Sequence, residues 1–578
     1  MWSYGSINHP GTVAEGGTFN YPAFTIEANW KKPVQVVWRN ELVDANGNFL
    51  PHLLPVDPTL HWANPPGGLT GRDMRPTFTS TPGPYTGPVP IVTHVHGAHT
   101  REDSDGYAEA WYLPAAKNIP AGFARTGTFW DYFNAKYDHG WEYGDAAFKY
   151  PNDQRATTLW YHDHTLGMTR LNVYAGPAGF YLIRGGPDDQ VGGILPGPAP
   201  GVGDDPLGTY YEIPIAIQDR SFNADGSLFY PDTRAFFDEF PGPYIPDTPV
   251  SPIWNPEFFG NMMVVNGFTW PFLNVEQRRY RFRLLNGCNS RFLILQFSDP
   301  RVQVWQIGAE GGFLPAPVRL NDFPYPGTSG GATVLMGLAE RADVIVDFTN
   351  VPVGTEVLLL NLGPDEPFGG GAVGVAFDPS DPASTGQVMQ FRVGPALSPD
   401  LTTPPQNLQL PTITPLGDEG NTQYLSLNEE AFEHPNFPEG DGPVAALLGR
   451  FDPGTGQPTP LLWMDPITEN PAVGATELWE MRNFTEDAHP IHIHLVQFEV
   501  VGREPFGGGT SVAGSNGPLP WETGFKDTVI SYPGEITRVK ARFDTPGFFV
   551  WHCHIVEHED NEMMRAYHVG PIPPDAPA

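Results

Sequence analysis

Cysteine is nearly absent: Cys288 and Cys553 are the only two in 578 residues. A disulfide framework is excluded, and if either thiol has another task no disulfide forms, so cysteine usage fixes no redox compartment. No apolar run reaches the roughly 18 residues of a membrane span, so no transmembrane segment is expected. The first thirty residues lack a basic region followed by an apolar one, so no signal peptide is read there. Positive charge is scarce as well: 32 Lys and Arg, only seven of them lysine, face 66 Asp and Glu, a formal net charge of −34. That balance argues against nucleic acid and anionic membrane surfaces as partners and is otherwise a solubility device. Also missing is any long stretch with apolar residues at helical spacing.

Short alternating segments are abundant instead. VQVVWRN (34–40), YRFRLLN (280–286), ADVIVDF (342–348), ELWEMRN (477–483) and TRVKARF (537–543) repeat with period two between Gly, Pro, Asn and Asp clusters. This predicts strands of sandwiches or barrels. Gly and Pro, 65 each, suit many turns. Two Pro/Gly-rich stretches, 186–206 and 394–411, read as linkers and divide the chain into three all-β domains, 1–185, 207–393 and 412–578. NSRFLILQFSD (289–299) echoes HPIHIHLVQFEV (489–500), and TEVLLLNLG (355–363) echoes GFFVWHCHI (547–555), with Arg291 and Leu293 where the last domain has His492 and His494. The middle domain reads as a copy of the last one without its chemistry. Cys288, in a strand-and-turn context, reads as a small buried residue.

Ten of the seventeen histidines fall in four groups: THVHG (His94, His96), WYHDHT (His162, His164), HPIHIHL (His489, His492, His494) and HCHIVEH (His552, His554, His558). On a strand, residues i and i+2 face the same way, so each His-x-His aims two imidazoles at one place. If the first and last domains pack together, eight imidazoles line one interface, more than one metal ion takes, and imidazole is a general ligand for copper, zinc, iron and nickel. Cys553, between His552 and His554, must then face its own domain's interior. His489, His558 and Met563 are available there, and two histidines, a cysteine and a weak axial methionine form a blue-copper electron-transfer set. Met564 is the adjacent rival, facing the other way on a strand. A zinc hydrolase leaves Cys553 and Met563 unexplained. A simple electron carrier leaves the first domain's four histidines unexplained.

In order and content the four motifs resemble the copper signatures of the three-domain multicopper oxidases. HCHIVEHEDNEMMR and HVHGAHTREDSDGYAEAW are most similar to spore-coat laccases, and the likeness, shared with bilirubin oxidases and phenoxazinone synthase, extends over essentially the whole chain. The resemblance implies an all-β fold of three cupredoxin-like Greek-key β-sandwich domains and four copper ions. Type 1 copper would take His489, Cys553, His558 and axial Met563. Type 2 copper would take His94 and His492. The type 3 pair would take His96, His162, His164, His494, His552 and His554. It further implies electron entry at His558 and proton relay by Asp105 and Glu559, for which the bland alternative is a solvated acidic loop. The partners implied are dioxygen and small aromatic reducing substrates such as phenols, aromatic amines or bilirubin, with cuprous or ferrous ions as the alternative donors. The eleven methionines do not cluster, which lowers the metal-ion alternative. Secreted, periplasmic and spore-coat locations, the last with a structural role, stay open. The opening MWSYGS matches a point past the family's first strand, implying a leading segment before it. Trp160 and Trp551, close to ligands, read as core packing. The loop 502–525 is a candidate wall of the donor pocket, with an ordinary solvent-exposed loop as the equal alternative.

Overall fold

The computed structural model describes residues 1–6, 19–201, 204–205, 208–437 and 440–577. All five alternating segments lie in strands: Val34–Arg39, Arg279–Asn286, Arg341–Asp347, Ala475–Asn483 and Glu535–Phe543. In Glu535–Phe543 the alternation is literal, with Thr537, Val539, Ala541 and Phe543 buried and the residues between them facing outward. Arg279–Asn286 departs from it, because the polar face is buried too. Arg281 pairs with Asp343 and Arg283 with Glu212, and Arg283 also donates to Thr158 Oγ1 at 2.7 Å, so this face packs on the first unit.

The sheets fall into three sets of strands, Ala23–Arg184, Glu212–Gly394 and Asn421–Val569, and no described sheet draws on two sets. We propose these units as the domains 1–185, 207–393 and 412–578. Gln387–Gly394 runs one residue past the second unit's expected end, and residue 207 lies outside the described residues, as do 202, 203 and 206 of the first linker. The linkers lie side by side, with Gly192 and Gln409 exchanging backbone hydrogen bonds of 2.7 and 2.9 Å.

The middle and last units share one topology. Each has a parallel pair (Glu212–Phe222 with Arg279–Asn286, and Asn421–Glu433 with Ala475–Asn483) flanked by an antiparallel strand. Each also has a second sheet in which the echoed strands pair antiparallel, Leu293–Phe297 with Glu356–Asn361 and His489–Ile493 with Gly547–Cys553. The first unit repeats that last pair as Thr93–His96 with Thr157–Asp163. Helices are few and short; the nine-residue Thr128–Lys136 is the longest described, and no described helix is long and apolar enough to cross a membrane.

Apolar cores cross the unit boundaries. Phe548, Val550, Met564 and Ala566 of the last unit join the core of the first, and Phe292, Ile294 and Phe368 of the middle join that of the last. Each buried Phe, Val, Ile or Met among them stabilises the arrangement by roughly 1.5–3 kcal/mol. A polar clasp adds to it: the His99 ring lies 2.8 Å from Asp153 and 3.0 Å from Asp544. Burial opposes protonation of His99, but its hydrogen bonds to the two carboxylates outweigh that and raise its pKa to about 9. A raised folded-state value contributes stability that is complete below the ordinary pKa near 6.5 and is lost as pH rises through about 9. Allowing for solvent screening, the contribution is on the order of 1–3 kcal/mol. His99→Gln is therefore expected to lower the melting temperature most below pH 6.5, with the gap to wild type closing above pH 9. A gap independent of pH would contradict this.

Candidate metal centres

The two His-bearing strand pairs bring their histidine rings into contact across the interface of the first and last units. Register sets His94 opposite His162 and His492 opposite His552. His164, His494 and His554 sit just past the ends of their strands, where the backbone turns away and the rings converge. Three groups result: His94, His492 and His494; His96, His162 and His554; His164, His494 and His552, all buried. His96 stacks on His492 with centroids 3.6 Å apart, and His94 on His494 at 3.9 Å.

Hydrogen bonds fix which nitrogen each ring offers. His94 Nδ1 faces Asp105 O at 2.5 Å, His162 Nδ1 faces Asp163 O at 2.8 Å and His492 Nδ1 faces Asp527 O at 2.7 Å. Each of these Nδ1 atoms must donate, which leaves Nε2 as a lone pair. The Nε2 atoms of His94, His162 and His492, Nδ1 of His96 and both nitrogens of His554 are buried with no hydrogen-bond partner. His494 Nδ1 donates to Asp105 Oδ2 at 2.8 Å and His552 Nδ1 to Cys553 O at 2.9 Å, yet their Nε2 atoms face each other at 3.2 Å. Two acceptors aimed at one another in a buried site call for a cation between them, so these residues fit a multinuclear metal cluster. Burial holds His94, His96, His492, His494 and His554 below their ordinary value, with His162 at about 3 and His164 at about 4, and keeps these rings in the neutral form that binds metals.

Cys553 points the other way, into the core of the last unit, where Met563 belongs to the same cluster. Its Sγ lies 3.5 Å from His489 Nδ1 and 3.9 Å from His558 Nδ1. His489 Nε2 is held by Thr485 Oγ1 at 2.6 Å, which turns Nδ1 toward the thiol. Burial pushes the thiol well above its ordinary pKa, so a metal ion must displace a proton to bind it. Met564 faces away, into the core shared with the first unit.

The carboxylates Asp105 and Glu559 both lie at the histidine cluster. Asp105 holds His494, and its Oδ1, 3.7 Å from His94 Nδ1, is buried without a hydrogen bond. Glu559 approaches His552 Nδ1 at 3.2 Å and His164 Nε2 at 3.7 Å. The solvated-loop alternative does not hold for either, since both are 1 % exposed. Burial raises Asp105 well above the usual carboxylate range. Burial also raises Glu559, but the imidazoles of His552 and His164 outweigh it and bring Glu559 to about 2. Trp160 packs on His162 with centroids 4.2 Å apart, whereas Trp551 packs in the core against Trp479.

A cavity of about 70 Å³ opens against His489 and His558. Phe237, Trp254 and Pro367 wall it, and Glu257, Glu429 and Asp487 supply carboxylates. Glu257 Oε1 is 3.9 Å from His558 Nε2, and burial, with neighbouring acids, pushes Glu257 well above its ordinary value. The loop 502–525 is not among the lining residues. It is closed on itself by the Arg503–Glu522 pair at 2.7 and 2.8 Å and tied to the strand Glu535–Phe543 by Ser511, which donates to Glu535 at 2.7 Å. Much of the wall comes from the middle unit, as does the clasp on the His558 segment, where Tyr230, Asn289 and Ser290 donate to Glu557 at 2.8, 2.8 and 2.6 Å. Sequence reasoning missed these residues. Only Thr485 and Asp487 carried a signal, their closeness to HPIHIH.

A family model described as multicopper oxidase matches residues 444–572. A laccase of Bacillus stratosphericus is 35% identical over 558 residues, covering 94% of this chain and 88% of that protein. A laccase of Bacillus subtilis is 35% identical over 559 residues, with the same coverage of 94% and 88%. The crystal structure of a laccase from Pediococcus acidilactici superposes with a TM-score of 0.58 at 23% identity, covering 95% of this chain and 83% of that one, a likeness of fold. Converging imidazoles beside a buried thiol, and relatives this similar over nearly the full length, lead to one conclusion: the chain belongs to the multicopper oxidases, copper-dependent oxidoreductases that carry four copper ions and use dioxygen as acceptor.

Proposed function

We propose that the protein is a laccase-like oxidase that takes single electrons from phenols, aromatic amines or bilirubin-type donors and reduces dioxygen to water. What carries this reading is the position of Cys553: its thiol faces His489 and His558 beside the cavity, while its backbone neighbours His552 and His554 face the other cluster. In this reading His489, Cys553, His558 and Met563 would hold type 1 copper. His94 and His492 would hold type 2. His96, His162, His164, His494, His552 and His554 would hold the type 3 pair. Copper, when bound, supplies the redox chemistry that imidazole and thiolate lack.

The chain does the rest. Trp254, Phe237 and Pro367 offer flat apolar walls to a ring, and Glu257 and Asp487 offer acceptors to its O–H or N–H. Cys553 joins the donor side to the acceptor side through its own peptide bonds. Reducing one dioxygen to two waters consumes four electrons and four protons; we assign Asp105, whose carboxyl burial keeps protonated, as a proton donor and Glu559, held as a carboxylate, as a group that accepts a proton and passes it on. The test is oxygen uptake by the copper-loaded protein with a simple phenol. Four one-electron donors oxidised per dioxygen without peroxide are expected, and a blue protein with no uptake would overturn the oxidase reading.

One observation favours cuprous or ferrous ions as a second donor class: three carboxylates line so small a cavity. Glu257→Gln separates the two. For a metal-ion oxidase KM for the ion is expected to rise about tenfold or more, the loss of roughly 1.4 kcal/mol of binding, with the phenol KM changing less. For an aromatic oxidase the order reverses.

A further inference from the structure

Arg341 opens the strand Arg341–Asp347 of the middle unit, which holds none of the proposed copper ligands, yet its side chain reaches the histidine cluster. Its Nε donates to Thr158 O of the first unit at 3.0 Å, and its Nη1 to Ala339 O at 2.8 Å. Nη1 also donates to Asp527 Oδ1 at 3.0 Å, and Nη2 closes a two-pronged grip on Oδ2. Asp527 belongs to the last unit and serves two histidines. Its Oδ1 accepts from His96 Nε2 at 3.1 Å, and its backbone O accepts from His492 Nδ1 at 2.7 Å. Thr528 Oγ1 supports the same oxygen at 2.9 Å and lies 3.2 Å from His96 Nε2. The nitrogens left over, His96 Nδ1 and His492 Nε2, are the buried atoms without partners.

We propose that Arg341 is a positioning residue for the trinuclear copper cluster: through Asp527 it fixes the rotation and tautomer of His96 and His492, so that the middle unit takes part in building a site to which it gives no ligand. The inference rests on the ligand assignment proposed above. A planar guanidinium sets the plane of a carboxylate, which a point charge does not. With that plane set, Oδ1 is held where His96 Nε2–H meets it, and the lone pair of Nδ1 is left for metal. The grip also shapes the chain beside it. Gly97 has φ +84°, and a Cβ there would lie 2.2 Å from Asp527 Oδ2 and 3.0 Å from Arg341 Nη2, so the residue after His96 must be bare for the pair to pack.

A neighbouring pair offers the control for mere adhesion between units. Lys526 reaches Glu310 Oε2 at 2.7 Å and Glu340 Oε1 at 2.9 Å, also joining the last and middle units; Glu310 Oε1 accepts from the backbone N of Arg341 at 3.0 Å, but neither carboxylate bonds the Arg341 guanidinium or a proposed ligand. Wild type is first checked for four copper ions per chain and a type 2 paramagnetic resonance signal; without them the ligand assignment fails, and the proposal with it. R341M and R341K are then compared with K526M by copper count, resonance spectrum, blue absorption and melting temperature. The expected result is that R341M keeps its blue colour but loses or alters the type 2 signal, with cluster copper bound roughly 10–100-fold more weakly. R341K is expected to alter the signal in part, and K526M to cost stability and leave the signal unchanged. If R341M does not accumulate, R341K decides, because it keeps the charge and loses the fork. A wild-type signal in R341K and in any R341M obtained, or equal disturbance of the signal in K526M, would overturn the proposal.

Discussion

Cys553→Ser is expected to yield a folded, colourless protein with about three copper ions instead of four and donor-driven oxygen uptake reduced at least about a thousandfold, more than ~4 kcal/mol of barrier. The fold survives because the change is small and the site is already polar. Cys553 is fully buried, and its Sγ accepts from Ile555 N at 3.4 Å, a contact that a serine oxygen can keep. Burying the new hydroxyl costs roughly 1–3 kcal/mol where its hydrogen bonds are incomplete. The chemistry does not survive. Serine offers a hard, protonated oxygen in place of a soft thiolate, and the remaining His489 and His558 make a poor copper site. The histidines on either side, His552 and His554, keep their backbone and their rings, so the other cluster should still load. Visible absorption, copper count and oxygen uptake on one preparation check all of this. A blue Cys553→Ser protein, or one with wild-type turnover, would show that the thiol is not the ligand.

The motifs and the fold were legible in the sequence because both depend on period two. Side-chain alternation placed Thr537, Val539 and Ala541 inward, and the same alternation placed Cys553 opposite His552. The correspondence between the first and last units came from the register instead, in which His94 faces His162 much as His492 faces His552. What was not legible comes from elsewhere in the chain. Glu257, Trp254 and Arg341 reach the two sites from the middle unit and carry no pattern near them; as a single acid, tryptophan or arginine each looks like any other. The buried arginines of Arg279–Asn286 read as an outward face, although their partners Glu212 and Asp343 are brought to them by tertiary packing. Thr128–Lys136 escaped notice because nine residues give too few turns for a 3.6-residue period to emerge. The loop 502–525 read as a candidate pocket wall, yet none of its residues lines the cavity, and the Arg503–Glu522 pair ties its ends together.

Asp105→Asn should separate proton supply from positioning, and the expected loss is on the order of a hundredfold in oxygen turnover or more. Asp105 does two things at once. Its Oδ2 accepts from His494 Nδ1 at 2.8 Å, and its backbone carbonyl accepts from His94 Nδ1 at 2.5 Å. Asparagine keeps the backbone carbonyl and an amide oxygen able to accept from His494, so both rings hold their orientation and copper content should stay at wild type. It cannot give up a proton as a carboxyl does. Anaerobic reduction of the type 1 copper by donor should therefore run at the wild-type rate, and the deficit should appear only when dioxygen is admitted. Asp105→Ala removes the acceptor as well and is expected to lower copper content in addition. Glu559→Gln should behave like the asparagine variant, because Glu559 lies 3.2 Å from His552 Nδ1 while that nitrogen already has Cys553 O as its acceptor at 2.9 Å. The ring's orientation thus does not depend on the carboxylate, which leaves proton transfer as the function lost. Wild-type turnover in both Asp105→Asn and Glu559→Gln would remove the two carboxylates from the mechanism and leave Asp105 only as a support for His94 and His494.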